Sequence, residues 1–186
     1  ALGALAGVLA GLSSYVFLWA LNHILALFAG HNGLLYALPA GGALIGAAYH
    51  YLGGRASQGN ALLLEQVHEP TAWLPRRMAP LVLIGTLGTH LFGGSVGREG
   101  TALQMAGGLS DFAARVLRIG PHNRRLLLIA ALAGGFGAVF GVPIGGAVFA
   151  LEVQSIGRLP SAPLVPALAA SLIGDAIVRC LGSHHE

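Results

Sequence analysis

The first 54 residues of the chain, from Ala1 to Gly54, contain no Asp, Glu, Lys or Arg. A helix that crosses the hydrocarbon core of a bilayer needs about 20 consecutive, mostly apolar residues. This run is therefore long enough for two spans, and the sequence GHNG at 30–33 supplies a turn between them. It is too long for a signal peptide and lacks the basic flank of one. The sequence predicts an all-α integral membrane protein.

The whole chain is poor in charge. Of its 186 residues, 9% are charged and 55% are hydrophobic, whereas a soluble domain carries roughly 25% charged residues. All ten basic residues are Arg, and most stand at the ends of apolar segments, as in the cytoplasmic loops of membrane proteins. Because topology accounts for the net charge of +3, no nucleic-acid partner is expected. The residues assigned to the cytoplasmic side are Arg55, Arg76, Arg77, Arg115, Arg118, Arg124, Arg125 and Arg158.

Glycine and proline cut the chain into uneven segments. Short, interrupted helices of this kind line the substrate paths of secondary transporters, where their broken ends meet near the membrane midplane. A single membrane domain is expected over residues 1–186, and because both ends lie close to apolar segments, we expect a piece of a longer polypeptide. The predicted segments are 1–29, 34–52, 61–70, 78–92, 98–117, 125–140, 144–156 and 164–181.

The charged pair Arg98 and Glu99 stands in a long uncharged stretch, in the sequence GSVGREGTALQ. The first turn of a helix has free N–H groups and about half a positive charge, so it binds anions. An ionisable residue inside the membrane is costly and marks a functional site by default. Glu99 is therefore predicted to be a gate that competes with a bound anion until it is protonated. The alternative is a Glu that only caps a helix, with Arg98 as its ion partner.

Two further stretches contain polar residues beside helix breaks. In ASQGN at 56–60, Ser57 and Asn60 are equally suited to cap a short helix or to donate hydrogen bonds to an anion. In FGVPIGGAVFALEV at 140–153, a structural ion pair between Glu152 and a loop Arg is favoured over a direct role in transport.

The sequence gives little indication of a metal site, an enzymatic motif or a cofactor-binding motif. No two of the eight His residues have the i, i+3 or i, i+4 spacing of helical metal ligands, and His90 is favoured as a packed, hydrogen-bonded residue. No nucleophile elbow, phosphate loop or dinucleotide fingerprint is present. Neither an enzymatic activity nor a cofactor is expected.

Two segments resemble a known family. GREGTALQ resembles the GREGP signature of the CLC chloride channels and transporters, and FGVPIGGAVFALEV resembles that family's broken helix before a glutamate pair. The resemblance covers nearly the whole chain. It implies a CLC-type bundle of tilted, broken helices that forms the first of two inverted-topology repeats in each subunit of a homodimer. The second half of the subunit is then a partner of this chain.

The resemblance also implies roles for individual residues. Glu99 matches the gating glutamate, and Thr101 stands where the signature has Pro. The residues at 57–60 fall near the family's GSGIP loop, whose serine touches the central anion. In proton-coupled chloride exchangers of the family a second glutamate follows the first, whereas here Glu152 is followed by Val153. The anion-binding residues implied in this way are Ser57, Gln58, Gly59, Asn60, Gly97, Arg98, Gly100 and Thr101.

The function implied by the resemblance is halide transport. The segments GREGTALQMAGG and QGNALLLE are closer to the family's bacterial fluoride/proton antiporter branch. We therefore expect movement of chloride or fluoride through a path gated by Glu99, as a proton-coupled antiporter or a voltage-gated channel of a bacterial inner membrane. The alternative is a non-transporting membrane scaffold or assembly subunit, in which the glycines serve helix packing only.

Overall fold

A computed structural model describes residues 1–154 and 161–182 of the chain, and every regular element in those ranges is helical. Three short segments have other helix types. A 3-10 segment covers Asn32–Ala37, a π segment covers Tyr49–Gly53, and a second 3-10 segment covers Gly54–Gln58. The α-helices are α1 (Leu2–Gly30), α2 (Leu38–Ala48), α3 (Asn60–His68), α4 (Met78–Leu91), α5 (Arg98–Val116), α6 (Pro121–Phe140), α7 (Pro143–Gln154) and α8 (Ser161–Cys180).

Three helices in the described ranges are long and apolar enough to span a bilayer: α1, α6 and residues Ala162–Cys180 of α8. They pack against one another with their backbones in close contact. A Cβ added at Gly7 would lie 2.8 Å from the Ala170 carbonyl oxygen, and one at Gly134 would lie 2.8 Å from the Ala10 Cβ. Small residues allow this approach, which drives helix association in membranes.

Residues 34–52 are helical throughout, but they do not form one regular α-helix. The 3-10 segment at Asn32–Ala37 leads directly into α2, which has 11 residues, and the π segment follows it without a break. Pro39 lies in its first turn, a position that suits proline. After Ala48 the helix widens into the π segment, which places the Tyr49 ring against α4: its Cε2 lies 3.0 Å from where a Cβ on Gly85 would be.

The remaining helices follow the predicted segments closely. α4 and α5 begin at Met78 and Arg98 as predicted; Arg77 precedes the first, and Gly97 is the N-cap of the second. α6 begins earlier than predicted, at Pro121, where a proline is favoured at the first helical position. It ends at Gly141 in the left-handed conformation, with φ of 66°, and Pro143 then opens α7. The predicted end of α7 at Ile156 lies outside the described residues.

Several of the Arg residues assigned to one side lie together at one end of the bundle. The guanidinium of Arg76 lies 5.2 Å from the Phe112 ring centre, near the end of α5. Arg77 Nη2 lies 3.2 Å from where a Cβ on Gly54 would be, so it is also close to the loop after α2. Arg158 lies outside the described residues. We call this end of the bundle the Arg-bearing end.

Arg124 and Asp111 form a buried ion pair near the same end, with Arg124 Nε donating to Asp111 Oδ1 at 2.6 Å. Arg124 Nη2 also donates to the Ala72 carbonyl at 2.6 Å, and the Leu74 N–H donates to Asp111 Oδ2 at 2.7 Å. The guanidinium lies 4.5 Å from the centre of the Trp73 ring. The pair therefore fixes the loop between α3 and α4 onto α5 and α6.

Candidate anion-binding site

The first turn of α5 is open to a ligand. Gly97 is its N-cap, with extended backbone, and no side chain caps the helix. The N–H groups of the first turn consequently have no partner within α5, and they lie at the positive end of its dipole. Glu99 is exposed, and its Oε2 lies over Gly97, where an added Cβ would collide with it. Arg98 is partly buried. The carboxylate of Glu99 is thus exposed and lies beside the uncapped N-terminus of α5.

The structure brings the two predicted loops together at this turn. A Cβ added at Gly100 would lie 3.0 Å from Asn60 Nδ2, and one at Gly59 would lie 3.3 Å from Gln104 Nε2. Gly59 has φ of +57°, a conformation that favours glycine, and it immediately precedes α3. Asn60 Oδ1 is buried with no hydrogen-bond partner among the described residues. The N-termini of α3 and α5 therefore meet, with the Asn60 amide between them.

Ser57 and Gln58, the other polar residues of the stretch 57–60, are placed differently from Asn60. Ser57 Oγ donates a hydrogen bond to the Tyr49 carbonyl oxygen at 3.1 Å, so its proton is committed to the end of α2. Gln58 is exposed. Of the polar side chains at 57–60, the one that contacts the start of α5 is Asn60.

A cleft of about 260 Å³ adjoins the site on the α4 side of α5. The hydroxyls of Thr86 and Thr101 lie 2.6 Å apart in its wall, and both residues are buried. Sequence reasoning did not predict this hydrogen bond, because a Thr inside an apolar helix is ordinary and the partner of Thr86 lies 15 positions away. The cleft is lined by Ile45, Tyr49, Val82, Gly85, Thr86, Thr89, Val96, Gly97, Gly100, Thr101 and Gln104.

Glu152 and Val153 lie on α7, the first exposed and the second partly buried. The ion pairs seen in residues 1–154 and 161–182 include Arg124 with Asp111 and Arg179 with Asp175, and none of those seen contains Glu152. The ion pair predicted for Glu152 is therefore not found within those ranges, and Arg158 lies outside them.

His90 fits the packing role that the sequence favours. It is partly buried in α4, and its Nδ1 hydrogen bonds to the Thr86 carbonyl oxygen at 2.8 Å, which makes Nδ1 the protonated nitrogen. Across the described residues, no group of three or more His, Cys, Asp and Glu is placed to hold a metal ion.

Comparison with known proteins identifies the family. The family model described as voltage gated chloride channel matches residues 41–186. The chain belongs to this CLC family. A "Chloride/fluoride channel protein" of Pseudomonas syringae pv. tomato is 42% identical over 185 residues, which are 100% of this chain and 41% of the relative.

The fold is also that of a CLC protein. A crystal structure of a CLC-type fluoride/proton antiporter superposes with a TM-score of 0.93 at 33% identity, covering 98% of this chain and 46% of that one. The "H(+)/Cl(-) exchange transporter ClcA" of Yersinia pestis is 36% identical over 84 residues, 45% of this chain and 17% of the relative. The prediction of an all-α integral membrane protein with the CLC fold is confirmed, and the chain spans less than half the length of the relatives it matches along its whole length.

Proposed function

We propose that this CLC chain is the first half of a subunit that moves a halide anion across a bacterial inner membrane in exchange for protons. The observation that supports this most directly is the meeting of two helix N-termini around the Asn60 amide and the first turn of α5. Free N–H groups at helix ends solvate an anion where water is scarce. The same turn holds Glu99, whose carboxylate is attracted by the same groups.

Glu99 acts in this proposal as a tethered competitor of the transported anion. While charged, its carboxylate occupies the region in front of the α5 N-terminus, and when protonated it loses most of its attraction for that region and leaves it to a halide. Its exposure and the lack of a side chain at Gly97 leave room for such movement. The frame of the site is Gly97, Arg98, Gly100 and Thr101.

Asn60 is proposed to contact the anion directly. Its Nδ2 lies against Gly100, within reach of an ion at the α5 terminus, and an amide nitrogen has two protons to donate. Gly59 supports it through its left-handed backbone. Ser57 and Gln58 are proposed to hold the loop before α3 in place and not to contact the anion. The Ser57 hydroxyl already donates to the Tyr49 carbonyl oxygen.

Fluoride is proposed as the principal cargo, with chloride as the second candidate. Two of the proteins that match nearly the whole of this chain have the words "chloride/fluoride channel" and "fluoride/proton antiporter" in their descriptions. Chloride is retained because the Yersinia pestis relative, which matches a shorter stretch, is described as an H(+)/Cl(-) exchange transporter.

The proposal includes partners that complete the path. A second, inverted half would supply the opposite wall, and two subunits would form a homodimer in the bilayer. Transport of this kind requires no covalent chemistry, so we propose no enzymatic activity and no cofactor for the chain.

The test is halide efflux from liposomes that contain the complete subunit. A fluoride or chloride electrode follows the anion, and a pH electrode follows proton uptake. Glu99→Gln keeps the size of the side chain and removes its charge and its ability to exchange protons. We expect it to retain anion flux, to abolish proton exchange and to remove the dependence of flux on pH.

The matched control is Glu152→Gln, which removes an exposed carboxylate from α7 and is expected to leave the pH dependence of anion flux unchanged. If Glu99→Gln alters neither the rate nor the pH dependence of flux, the gating role is wrong. If the unaltered protein moves neither halide, the scaffold alternative replaces the transport proposal.

A further inference from the structure

We propose that protons travel between Glu99 and the Arg-bearing end through the cleft between α4 and α5, along waters held by Thr86, Thr101 and Gln104. This inference rests on the proposed function, because it requires Glu99 to exchange protons during transport. It adds a route for the proton and names the residues that build it.

The cleft begins beside Glu99 and extends toward the Arg-bearing end, as a route for protons between them requires. On α5 it runs from Gly97, beside Glu99, to Gln104, and on α4 it runs from Thr89 to Val82. Seven residues of helix extend about 10 Å. Since α4 starts beside Arg76 and Arg77, the cleft leads from the gate toward the Arg-bearing end. Its volume of about 260 Å³ holds several waters, each of which takes about 30 Å³ in the liquid.

The wall of the cleft contains buried polar groups that have unused hydrogen-bonding capacity. In the pair formed by Thr86 and Thr101, 7% and 2% exposed, one hydroxyl donates to the other, and the second keeps its own proton for another partner. Gln104 is 9% exposed and lines the cleft, with its Nε2 3.3 Å from where a Cβ on Gly59 would be. Its amide can both donate and accept hydrogen bonds, so it can bind water in the cleft.

These groups suit water better than a second anion. An anion requires donors only, whereas the Thr hydroxyls and the Gln104 amide present donors and acceptors together. In a chain of waters, each hydroxyl accepts a proton from the water on one side and gives its own proton to the water on the other. The threonine is left unchanged, and the proton leaves Glu99 without a charged intermediate on the wall. The titratable side chain in the lining is Tyr49, at the inner part of the cleft beside Gly85.

The experiment measures halide and proton flux together in liposomes that contain the complete subunit and a fluoride gradient. Thr86→Val keeps the shape of the side chain and removes one hydroxyl of the pair. We expect proton flux to fall by about tenfold or more, the effect of losing one hydrogen-bonding group, while fluoride flux continues. Thr86→Ser retains the hydroxyl and is expected to keep the proton-to-fluoride ratio of the unaltered protein.

Thr89→Val is the matched control. Thr89 lines the same cleft, but its hydroxyl donates to the Gly85 carbonyl oxygen in its own helix at 2.8 Å. Its proton is therefore not available to a water chain, and the variant is expected to keep the ratio of the unaltered protein.

Three outcomes overturn the inference. An unchanged ratio in Thr86→Val shows that the paired hydroxyls do not conduct protons. Equal loss of fluoride and proton flux, in a variant that melts normally, places the pair in the anion path instead. Fluoride flux without any proton flux in the unaltered protein shows that there are no protons for the route to carry.

If Thr86→Val does not fold, Gln104→Met tests the same route by removing the amide. Absence of halide flux in the unaltered protein, by contrast, refutes the proposed function itself.

Discussion

Arg124 and Asp111 are joined by a 2.6 Å hydrogen bond between Nε and Oδ1, and their side chains are only 5% and 2% exposed. The pair also binds the backbone at Ala72 and Leu74, so a loop of 9 residues between α3 and α4 is fixed by two side chains from α5 and α6. Because α3 and α5 contribute the two termini of the candidate site, this buried pair supports the site from a distance.

Removing Arg124 is expected to destabilise the fold strongly. In Arg124→Met the Asp111 carboxylate stays buried without its cation, and breaking a buried pair in this way costs about 3–5 kcal/mol. Thermal unfolding in detergent measures the loss. Arg55→Met is the control, because Arg55 is exposed and a charge at the surface contributes below about 1 kcal/mol. Equal losses in the two variants would contradict the prediction.

Asn60→Leu is expected to weaken halide binding, because it removes the amide that lies beside Gly100. A hydrogen bond to a charged partner contributes about 1.5–3 kcal/mol, which corresponds to a ten- to hundredfold rise in the half-saturating fluoride concentration. The measurement is the concentration dependence of fluoride uptake. Ser57→Ala should leave that value nearly unchanged, since its hydroxyl donates to Tyr49. If Ser57→Ala raises the half-saturating fluoride concentration more than Asn60→Leu does, the anion contacts Ser57 and not Asn60.

Gly59→Ala is expected to lower stability by about 1–2 kcal/mol, the usual cost of a left-handed backbone for a residue with a Cβ. The added methyl also approaches the Gln104 amide. Gly42→Ala provides the comparison: its Cβ meets no atom within 4 Å on α2, so it should be neutral or raise stability by up to about 1 kcal/mol. Melting temperatures that do not separate the two variants would be inconsistent with the backbone at Gly59.

Gly7→Val is expected to loosen the contact between α1 and α8. The new side chain would overlap the Ala170 carbonyl, and overpacking of this kind typically costs about 1–3 kcal/mol. Ala4→Val adds volume on an exposed face of the same helix and is expected to have little effect. Detergent unfolding of both variants checks the difference, and a Gly7→Val protein as stable as the unaltered one would argue against tight packing there.

The sequence predicted most helices because their limits are set locally. Long apolar runs identify α1 and α8, and the glycines before Arg98 identify the start of α5. The changes of helix type within 34–52 were not predicted, because apolar length does not reveal them. The ring of Tyr49, where the π segment begins, lies against Gly85 of α4, and such a contact belongs to the tertiary structure.

The candidate site was predictable to a similar extent. Glu99 and Asn60 stand beside glycines at helix starts, a local signal, and the structure then brings their two loops together. The pairing of Thr86 with Thr101, and of Arg124 with Asp111, leaves no such signal. Each pair joins different helices, and its partners are 15 and 13 positions apart, where no spacing rule applies.

The packing of α1 against α8 has a consequence for biosynthesis. α1 ends at Gly30 and α8 begins at Ser161, so the ribosome adds roughly 130 residues between them, which takes on the order of ten seconds. During that interval the surface around Gly7 and Gly11 faces lipid or the insertion machinery, because its partners Ala170 and Gly174 have not been made. The contact between α1 and α8 therefore forms only after α8 has entered the membrane, and until then α1 lies in the bilayer without that partner.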